Sequence, residues 1–395
     1  MKFVSWGVFL VLSVIVLGVA RAASETPQLP GVSERMQRFI DAREVAGAVT
    51  VVVDRDGYQH FATHGYADLE TQRVMRADTL FWIASMSKPV TAAAVLRLQD
   101  EGKLNVNDLV ERYLPEFASL TTPSGQPARL TLAQLLSHTS GLAESSGQSA
   151  VKAVTLADLI PQFVASPTLF EPGTRWKYSQ SSINTAARIV EVVSGRPFDV
   201  YLNEQFFGPL GMKDTTFYPT AEQRARLVTA YRKDAATNEL KASPPRIDIH
   251  VRERPPLGNG GLFSTAQDYA RFCRMLLNEG SLEGRNYLKP ETVRQMRTIV
   301  TGDLVAGFLP GAPGHGWGLG CGVVREPQGV TAMLSPGTFG HGGAWGTQAW
   351  IDPVKGVAYL LMVQRTNFGN SDASEVRKGF QEAAASALTP LSGKN

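Results

Sequence analysis

The sequence predicts an α/β fold in which an antiparallel sheet, flanked by helices, is built from both chain ends and carries an inserted, mainly helical lobe. Hairpin patterns occur near both termini, and helical patterns separated by Pro- and Gly-rich loops occupy the middle. No segment resembles a linker, so one catalytic domain is expected, with a sheet lobe at about 23–80 and 255–395 and a helical lobe at about 81–254. A length of 395 residues, 43% of them hydrophobic and 19% charged, is sufficient for a large core.

The N-terminal part of the sheet is expected to follow a short helix. Ser33 and nearby Glu34 can begin that helix, which continues to Ile40. A run rich in β-branched residues at 46–53 is followed by an Asp-Gly turn and by a second strand-like run at 58–65. This pattern predicts a β-hairpin.

The C-terminal part of the sheet is predicted to be a second hairpin. Runs at 347–351 and 356–364 flank the Asp352-Pro353 turn. A helix rich in Ala and Glu is expected next, over 374–388. Between the two hairpins, helical patterns occur at 89–101, 131–137, 156–164, 182–194 and 266–278.

The first 22 residues have the pattern of a Sec-type signal peptide. Lys2 supplies the positive n-region, residues 3–19 are almost wholly apolar, and Ala20-Arg21-Ala22 matches a small-x-small cleavage site. We therefore expect a cleaved leader, a mature chain from residue 23 without a membrane span, and a periplasmic or secreted location. The alternative is an uncleaved anchor, because the apolar run approaches the length that spans a bilayer.

The charge distribution gives little support for nucleic-acid binding. The formal charge is +3 and falls to about +1 without the leader, and the densest basic run, at 224–233, is interrupted by apolar residues. His60, His64, His250 and His315 lack metal-ligand spacing, so neither a metal nor another cofactor is expected.

The two cysteines are too few for a disulfide framework. Cys273 lies in an apolar, helix-like run, and Cys321 lies in a Gly-rich, strand-like segment. Two separate buried thiols are the default expectation, and a disulfide stays open because export permits one.

Ser85 is the first candidate for chemistry, because it lies where an apolar run passes into the predicted helix at 89–101. Unpaired backbone N–H groups at a helix N-terminus favour developing negative charge. Lys88 lies on the same helical face and can accept the serine proton if burial or a neighbouring cation lowers its pKa. The alternative is an N-cap serine followed by a surface lysine. The same Ser-x-x-Lys pattern at 149–152 lies in a polar loop, where we expect no function.

Four further segments help to decide whether Ser85 is a nucleophile or only an N-cap serine. They read LLSHTSGL at 135–142, LFEPGTRWKYSQ at 169–180, GGLFST at 260–265 and GHGGAWG at 340–346. Together with the serine segment, they resemble the serine β-lactamase and penicillin-binding-protein family. The resemblance is strongest to its class C-like branch, which includes carboxylesterases and D-amino-acid peptidases. It implies a β-lactamase/transpeptidase-like fold.

The resemblance also implies roles for individual residues. Ser85 matches the serine that is acylated, and Lys88 matches its lysine partner. Tyr178 matches the tyrosine of the Tyr-x-Asn motif, which shares a proton network with the serine. His341-Gly342-Gly343 matches the Lys-Thr-Gly strand, and the next residue, Ala344, would form the oxyanion hole together with the N–H of Ser85.

Two residues depart from the family pattern. Gln180 stands where the family usually has Asn, so the amide that binds a substrate side chain is expected one methylene further out. His341 stands where β-lactamases carry a cationic Lys that helps bind the drug's carboxylate, and histidine is mostly neutral at pH 7. Without that cation, neutral esters are expected to be better substrates than β-lactams that carry a carboxylate. The difference is expected to narrow as the pH falls and His341 gains its proton. His138 resembles a residue that shapes a loop rather than a base.

The resemblance implies an exported serine hydrolase that forms an acyl-enzyme at Ser85, with small carboxylic esters as favoured substrates and weak β-lactam turnover. Two alternatives stay open. One is a β-lactamase or a D-amino-acid peptidase or DD-carboxypeptidase acting on amides and cell-wall peptides; the other is a penicillin-binding sensor that is acylated without turnover. No acidic motif near Tyr178 resembles the deacylating Glu of class A enzymes. The natural substrate and the oligomeric state stay open.

Overall fold

The computed structural model describes Met1 and residues 27–144, 153–244, 247–308 and 314–388. The predicted signal peptide, apart from Met1, and the second Ser-x-x-Lys pattern at 149–152 lie outside these ranges. No helix in the described ranges is long and apolar enough to cross a membrane.

Most of the longer strands lie near the two ends of the chain, and most of the helices lie between them. The α-helices are α1 (Val32–Asp41), α2 (Ser87–Asp100), α3 (Leu132–Leu136), α4 (Ile160–Phe163), α5 (Gln180–Ser194), α6 (Phe198–Leu202), α7 (Gly208–Leu210), α8 (Ala221–Ala225), α9 (Ala266–Leu277), α10 (Pro290–Met296) and α11 (Glu375–Ala387). The strands are β1 (Gly47–Asp54), β2 (Tyr58–Asp68), β3 (Arg73–Val74), β4 (Phe81–Trp82), β5 (Tyr231–Lys233), β6 (Leu240–Ala242), β7 (Phe263–Ser264), β8 (Ser281–Leu282), β9 (Arg285–Asn286), β10 (His315–Trp317), β11 (Gly322–Val324), β12 (Phe339–Gly342), β13 (Gln348–Asp352) and β14 (Val357–Met362).

Eight strands form one antiparallel sheet in the order β10-β11-β12-β13-β14-β1-β2-β3. Strand β1 lies between β14 and β2, so that Val51 faces Leu360 on one side and Phe61 on the other. The sheet therefore joins the two ends of the chain at its centre. Both predicted hairpins, β1–β2 and β13–β14, are confirmed.

Both faces of the central strands are covered. Alternate residues of a strand point to opposite faces. Val49, Val51 and Val53 belong to the core shared with the helical lobe, whereas Ala48 and Val52 pack in a second core with α1 and α11. Burial on both faces explains why this strand is apolar at nearly every position and does not alternate with polar residues.

Helix α2 is the central element of the helical lobe. All its residues from Ser87 to Leu96 are buried, and it contacts α5, α10 and β12. A helix that is apolar on all sides is expected in such an interior position. The same burial carries Lys88, in the first turn, into the interior of the protein.

The predicted helix at 156–164 is interrupted. A 3₁₀ turn at Ala157–Leu159 precedes the short helix α4. Pro161 has no N–H group and fits only the first turn of an α-helix, so the regular helix begins no earlier than Ile160.

Cys273 and Cys321 are free thiols, as expected by default, and both are buried. Burial raises the pKa of each thiol well above its ordinary value, so both stay protonated at neutral pH. Neither thiol therefore has the thiolate character of a nucleophile.

Leu360 and Val354 belong to the same hairpin and differ in burial: Leu360 is 0% exposed and Val354 is 72% exposed. Leu360→Ala removes buried methyl groups and leaves a cavity, so we expect the free energy of unfolding to fall by about 2–5 kcal/mol. The control, Val354→Ala, is expected to change it by less than about 0.5 kcal/mol. Urea unfolding followed by tryptophan fluorescence measures both variants, and equal effects would contradict the central position of β14.

Candidate active site

Ser85 is the middle residue of a 3₁₀ turn between β4 and α2. The preceding Ala84 has a φ of 44°, an uncommon value for a residue with a side chain. Two hydrogen bonds hold the turn: the Ile83 N–H donates to the Leu262 carbonyl (3.1 Å), and the Ser87 hydroxyl donates to the Ala84 carbonyl (2.7 Å). The turn presents Ser85, which is half-buried, to a cleft.

Lys88 is fully buried, and its amine contacts three oxygen atoms of the protein. Its Nζ lies 3.1 Å from Ser85 Oγ, 2.9 Å from Gln180 Oε1 and 2.6 Å from the carbonyl oxygen of Asn259. Burial holds the pKa of Lys88 well below its ordinary value, and the charge of Glu144 opposes this shift only in part. The amine is therefore shifted strongly toward its neutral form.

As an ammonium, Lys88 donates to all three oxygens, whereas in the neutral form that burial favours the amine has two N–H groups and one lone pair. The oxygens of Gln180 and Asn259 can only accept, so Lys88 donates both N–H groups to them. The lone pair is left for the Ser85 hydroxyl. In this arrangement Lys88 can accept the proton of the serine as the serine attacks a carbonyl.

The amide of Gln180 makes contacts within the protein, and the residue also lines the cleft. Its Oε1 accepts hydrogen bonds from Lys88 and from Asn259 Nδ2 (2.7 Å), so this oxygen is engaged by the site itself, and the role of the amide toward a substrate stays a prediction. The physical reason is that a buried amine requires acceptors for its N–H groups.

Tyr178 and His341 form a hydrogen-bonded pair next to Lys88, whose Nζ lies 4.5 Å from the centre of the Tyr178 ring. Tyr178 Oη lies 3.2 Å from His341 Nε2, and His341 Nδ1 lies 2.6 Å from the carbonyl oxygen of Gly342. Because a carbonyl can only accept, Nδ1 carries the ring proton and Nε2 accepts the Tyr178 hydroxyl. Burial raises the pKa of Tyr178, so its phenol stays protonated.

The pKa of His341 corrects one sequence-based expectation. Burial and the proximity of Lys88 lower this pKa to about 3. The ring therefore stays neutral through the mildly acidic range, so protonation of His341 gives no reason to expect that the preference for neutral esters narrows between neutral and weakly acidic pH.

The segment after β12 lies against the turn that carries Ser85. A Cβ at Gly343 would lie 2.6 Å from the Ile83 carbonyl oxygen and 2.1 Å from Thr347 Oγ1, so only glycine fits here. Neither the Ser85 N–H nor the Ala344 N–H has a hydrogen-bond partner among the described residues, and both residues line the cleft. These two N–H groups can therefore donate to an oxyanion formed there.

His138 shapes the loop beside Tyr178, as the sequence indicates. It has a φ of 61°, its carbonyl accepts from the Lys177 N–H (2.9 Å), and its Nδ1 accepts from the Ser179 N–H (3.2 Å). Its ring also packs 4.5 Å from the Tyr178 ring. His138 thus holds both chain neighbours of Tyr178 and the tyrosine ring itself.

Glu144 is a residue of the site that sequence reasoning missed. Its carboxylate accepts from the backbone N–H groups of Gln180 (2.6 Å) and Ser181 (3.2 Å), at the start of α5. Its negative charge raises the pKa values of both Lys88 and Tyr178. The one signal in the sequence is its place directly after the 135–142 motif, and no local pattern relates it to α5.

The cleft beside Ser85 has a volume of about 800 Å³, which suits a small organic ligand. Trp82 and Trp345 form part of its wall, with ring centroids 4.1 Å apart in an edge-to-face arrangement. Of the predicted site residues, Ser85, Gln180 and Ala344 line this cleft, and Lys88 connects Ser85 and Gln180 with Tyr178, whose ring centre lies 4.5 Å from Lys88 Nζ. In the part of the chain that the structure describes, no group of three or more His, Cys, Asp or Glu side chains could hold a metal ion.

Comparisons with known proteins agree with the resemblance and the fold that the motifs predict. A family model described as Beta-lactamase matches residues 32–384. Protein Rv1367c of Mycobacterium tuberculosis (strain ATCC 25618 / H37Rv) is 35% identical over 383 residues, which cover 89% of this chain and 94% of that protein. Esterase EstB of Burkholderia gladioli is 28% identical, covering 89% of this chain and 93% of the esterase. The solved structure of EstCE1, described as a hydrolase with promiscuous acyltransferase activity, has a TM-score of 0.77 and 25% identity over 90% of this chain and 97% of that chain.

The contact between Gln180 and Lys88 predicts a shift in pH dependence. Gln180→Glu places a carboxylate beside the amine, which raises the pKa of Lys88. Because the neutral amine is the active form, the acidic limb of the kcat/KM profile should move to higher pH, by about one pH unit or more. The profile is measured with a p-nitrophenyl ester.

The matched control is Gln72→Glu, which makes the same charge change in an exposed turn next to β3, at the far edge of the sheet. It should leave the acidic limb in place. An unmoved limb in Gln180→Glu would show that Lys88 is not the group that titrates.

Proposed function

The chain belongs to the beta-lactamase family and is a serine hydrolase, and on this premise we propose that it is a carboxylesterase for small esters without a charge next to the scissile bond. The observation that carries this proposal is the neutral His341, which stands where the resembling β-lactamases bind a carboxylate with Lys. The similarity to the esterase EstB and the hydrolase EstCE1 supports it.

In the first half of the reaction, the Ser85 Oγ attacks the ester carbonyl while its proton passes to the Lys88 lone pair. The N–H groups of Ser85 and Ala344 stabilise the negative oxygen of the tetrahedral intermediate. When the intermediate collapses, the bond to the alcohol breaks, and the Lys88 ammonium returns the proton to the leaving oxygen. The products are a free alcohol and an acyl group on Ser85.

In the second half, water attacks the acyl carbonyl and Lys88 again accepts the proton. Collapse of this intermediate breaks the bond to Ser85 Oγ, which regains its proton from Lys88, and the carboxylic acid leaves. Tyr178 keeps its own proton throughout because it donates to His341 and its pKa is raised. Because Tyr178 also has a side-chain hydrogen bond with Ser85, its role in this proposal is to orient the serine hydroxyl.

The surroundings of Glu144 support an esterase over a peptidase that recognises a free amine. Such a peptidase requires an acceptor for the substrate's ammonium group. Oε1 of Glu144 accepts from the Gln180 N–H, and its Oε2 accepts from the N–H and hydroxyl of Ser181. Glu144 therefore acts as a helix cap beside the site, and no carboxylate is among the described residues that line the cleft.

Export of the enzyme is part of the proposal and rests on the leader sequence. A hydrolase of small esters in the periplasm or outside the cell would meet its substrates without their crossing the inner membrane. The mature N-terminus would then lie near Ala23.

The nucleophile is tested by covalent labelling. A fluorophosphonate probe should add one label per chain on the peptide that carries Ser85, and Ser85→Ala should abolish both labelling and turnover. Ser149→Ala is the control, since it removes the serine of the second Ser-x-x-Lys pattern, and it should change neither. Activity lost through Ser149 would overturn the assignment, and one equivalent of product without steady turnover would indicate an acylated sensor.

Substrate class is tested through His341. A lost hydrogen bond to a charged group is worth about 1.5–3 kcal/mol, or roughly ten- to a hundredfold in kcat/KM. We therefore expect p-nitrophenyl butyrate to exceed a chromogenic cephalosporin in kcat/KM by at least this factor, without change between about pH 5 and 8, given a His341 pKa of about 3. His341→Lys should narrow the difference at pH 7. Cephalosporin hydrolysis by the unmodified protein that equals its esterase activity would contradict the proposal.

A further inference from the structure

Arg232 is the one acidic or basic side chain among the described residues that line the cleft beside Ser85. The other lining residues are apolar or uncharged, including Trp82, Leu257 and Trp345. A cation at the wall of an otherwise uncharged cleft produces a directed electrostatic field there, because no neighbouring charge in the wall cancels it.

The backbone around Arg232 is fixed. On its N-terminal side, the Thr366 N–H donates to the Tyr231 carbonyl (2.8 Å), and on its C-terminal side, the Lys233 N–H donates to Asn367 Oδ1 (2.9 Å). Tyr231 is buried and Lys233 pairs with an acid, so both of these side chains turn toward the protein body. Because side chains alternate along a strand, the side chain of Arg232 points the other way, into the cleft.

The charge of Arg232 is not compensated within the described residues. Lys233 pairs with Glu44 at 2.6 Å, and Lys241 pairs with Asp234 at 2.7 Å. Arg232 lies directly opposite Lys241 in the β5–β6 pair, a like-charge arrangement that is unfavourable, and its side chain makes no hydrogen bond or ion pair with a described residue. An anion in the cleft would supply the missing partner.

We propose that Arg232 binds an anionic group, a carboxylate, on the ester substrate and so selects esters that carry a charge at the end remote from the scissile bond. The inference rests on the proposed esterase function and names its substrate class. The guanidinium group is suited to this task because its planar N–H groups match the two oxygens of a carboxylate. The other described residues that line the cleft, among them Ser85, Gln180 and Asn259, carry no charge, so the anion belongs at the end of the substrate that reaches Arg232.

The experiment compares matched pairs of p-nitrophenyl esters: hexanoate against hydrogen adipate, and octanoate against hydrogen suberate. Each pair differs mainly in the terminal carboxylate of the acyl chain. A second arm places the carboxylate on the alcohol, with 6-acetoxyhexanoate against hexyl acetate followed by pH-stat. The arm with the larger effect identifies the part of the ester that faces Arg232.

Arg232 is exposed, so Arg232→Gln should lower kcat/KM for the anionic ester about two- to fivefold, the size expected for an exposed ion pair. The neutral ester of the same pair should change less than about twofold. Arg232→Lys should restore part of the anionic rate, and high salt should reduce the anionic preference of the unmodified protein. The matched control is Lys241→Gln, which removes the same charge from the opposite strand outside the cleft lining and should leave both rates unchanged.

The neutral ester reports the proposed esterase function, and the ratio within a pair reports Arg232. Equal losses for both esters, or an unchanged ratio in Arg232→Gln, would overturn the assignment while leaving the esterase function intact. If the unmodified protein hydrolyses neither ester, the role of Arg232 is tested by binding. The affinity for a hydrogen adipate ester is then measured by calorimetry in Ser85→Ala and in the double variant that also carries Arg232→Gln. Equal affinity in the two proteins would reject the proposal, and weaker affinity without Arg232 would support it.

Discussion

The buried amine of Lys88, held by two oxygen acceptors, is the interaction on which the rest of the site depends. Burial makes its charged form costly, and the oxygens of Gln180 and Asn259 satisfy the two N–H groups of the neutral form. One acceptor begins helix α5 and the other precedes strand β7, while the amine itself is on α2. An N–H group left without its acceptor would cost about 1–3 kcal/mol. The correct packing of three separate segments is thus coupled to the protonation state of one nitrogen.

The groups around Ser85 are polar, yet most of them are uncharged at neutral pH. Tyr178 keeps its proton, His341 is a neutral acceptor, and the buried His138 has a pKa held well below its ordinary value. Before reaction, such a site therefore holds few charges in a region of low dielectric constant. Charge appears as the serine attacks, when an oxyanion and an ammonium form together, and the fixed N–H groups stabilise it at that moment. A site that held these charges permanently would be more costly to bury.

Local sequence patterns were sufficient to predict the hairpins and the turn that carries Ser85. The features that the sequence did not predict depend mainly on contacts between distant residues. The two hairpins and the Ser85–Lys88 turn each depend on neighbouring residues, so alternation, turn residues and helical spacing indicate them. The second acceptor of Lys88, Asn259, is brought to the site only by tertiary packing, which no spacing in the sequence reveals. The contact between Gln180 Oε1 and the amine of Lys88 joins residues 92 positions apart. Pro161 divides one predicted helix for a local reason that the apolar pattern concealed.

The position of β1 between β14 and β2 has a consequence for the order in which the molecule can mature. The centre of the sheet joins residues about 300 positions apart, such as Val49 and Met362, so its formation must wait for nearly the whole chain. The nucleophile turn is synthesised early, whereas the oxyanion donor at Ala344 arrives late. During synthesis the chain therefore passes through a long interval in which the serine and lysine exist without a complete catalytic centre. The oxyanion donors at Ser85 and Ala344 can come together only after β12 has joined the sheet.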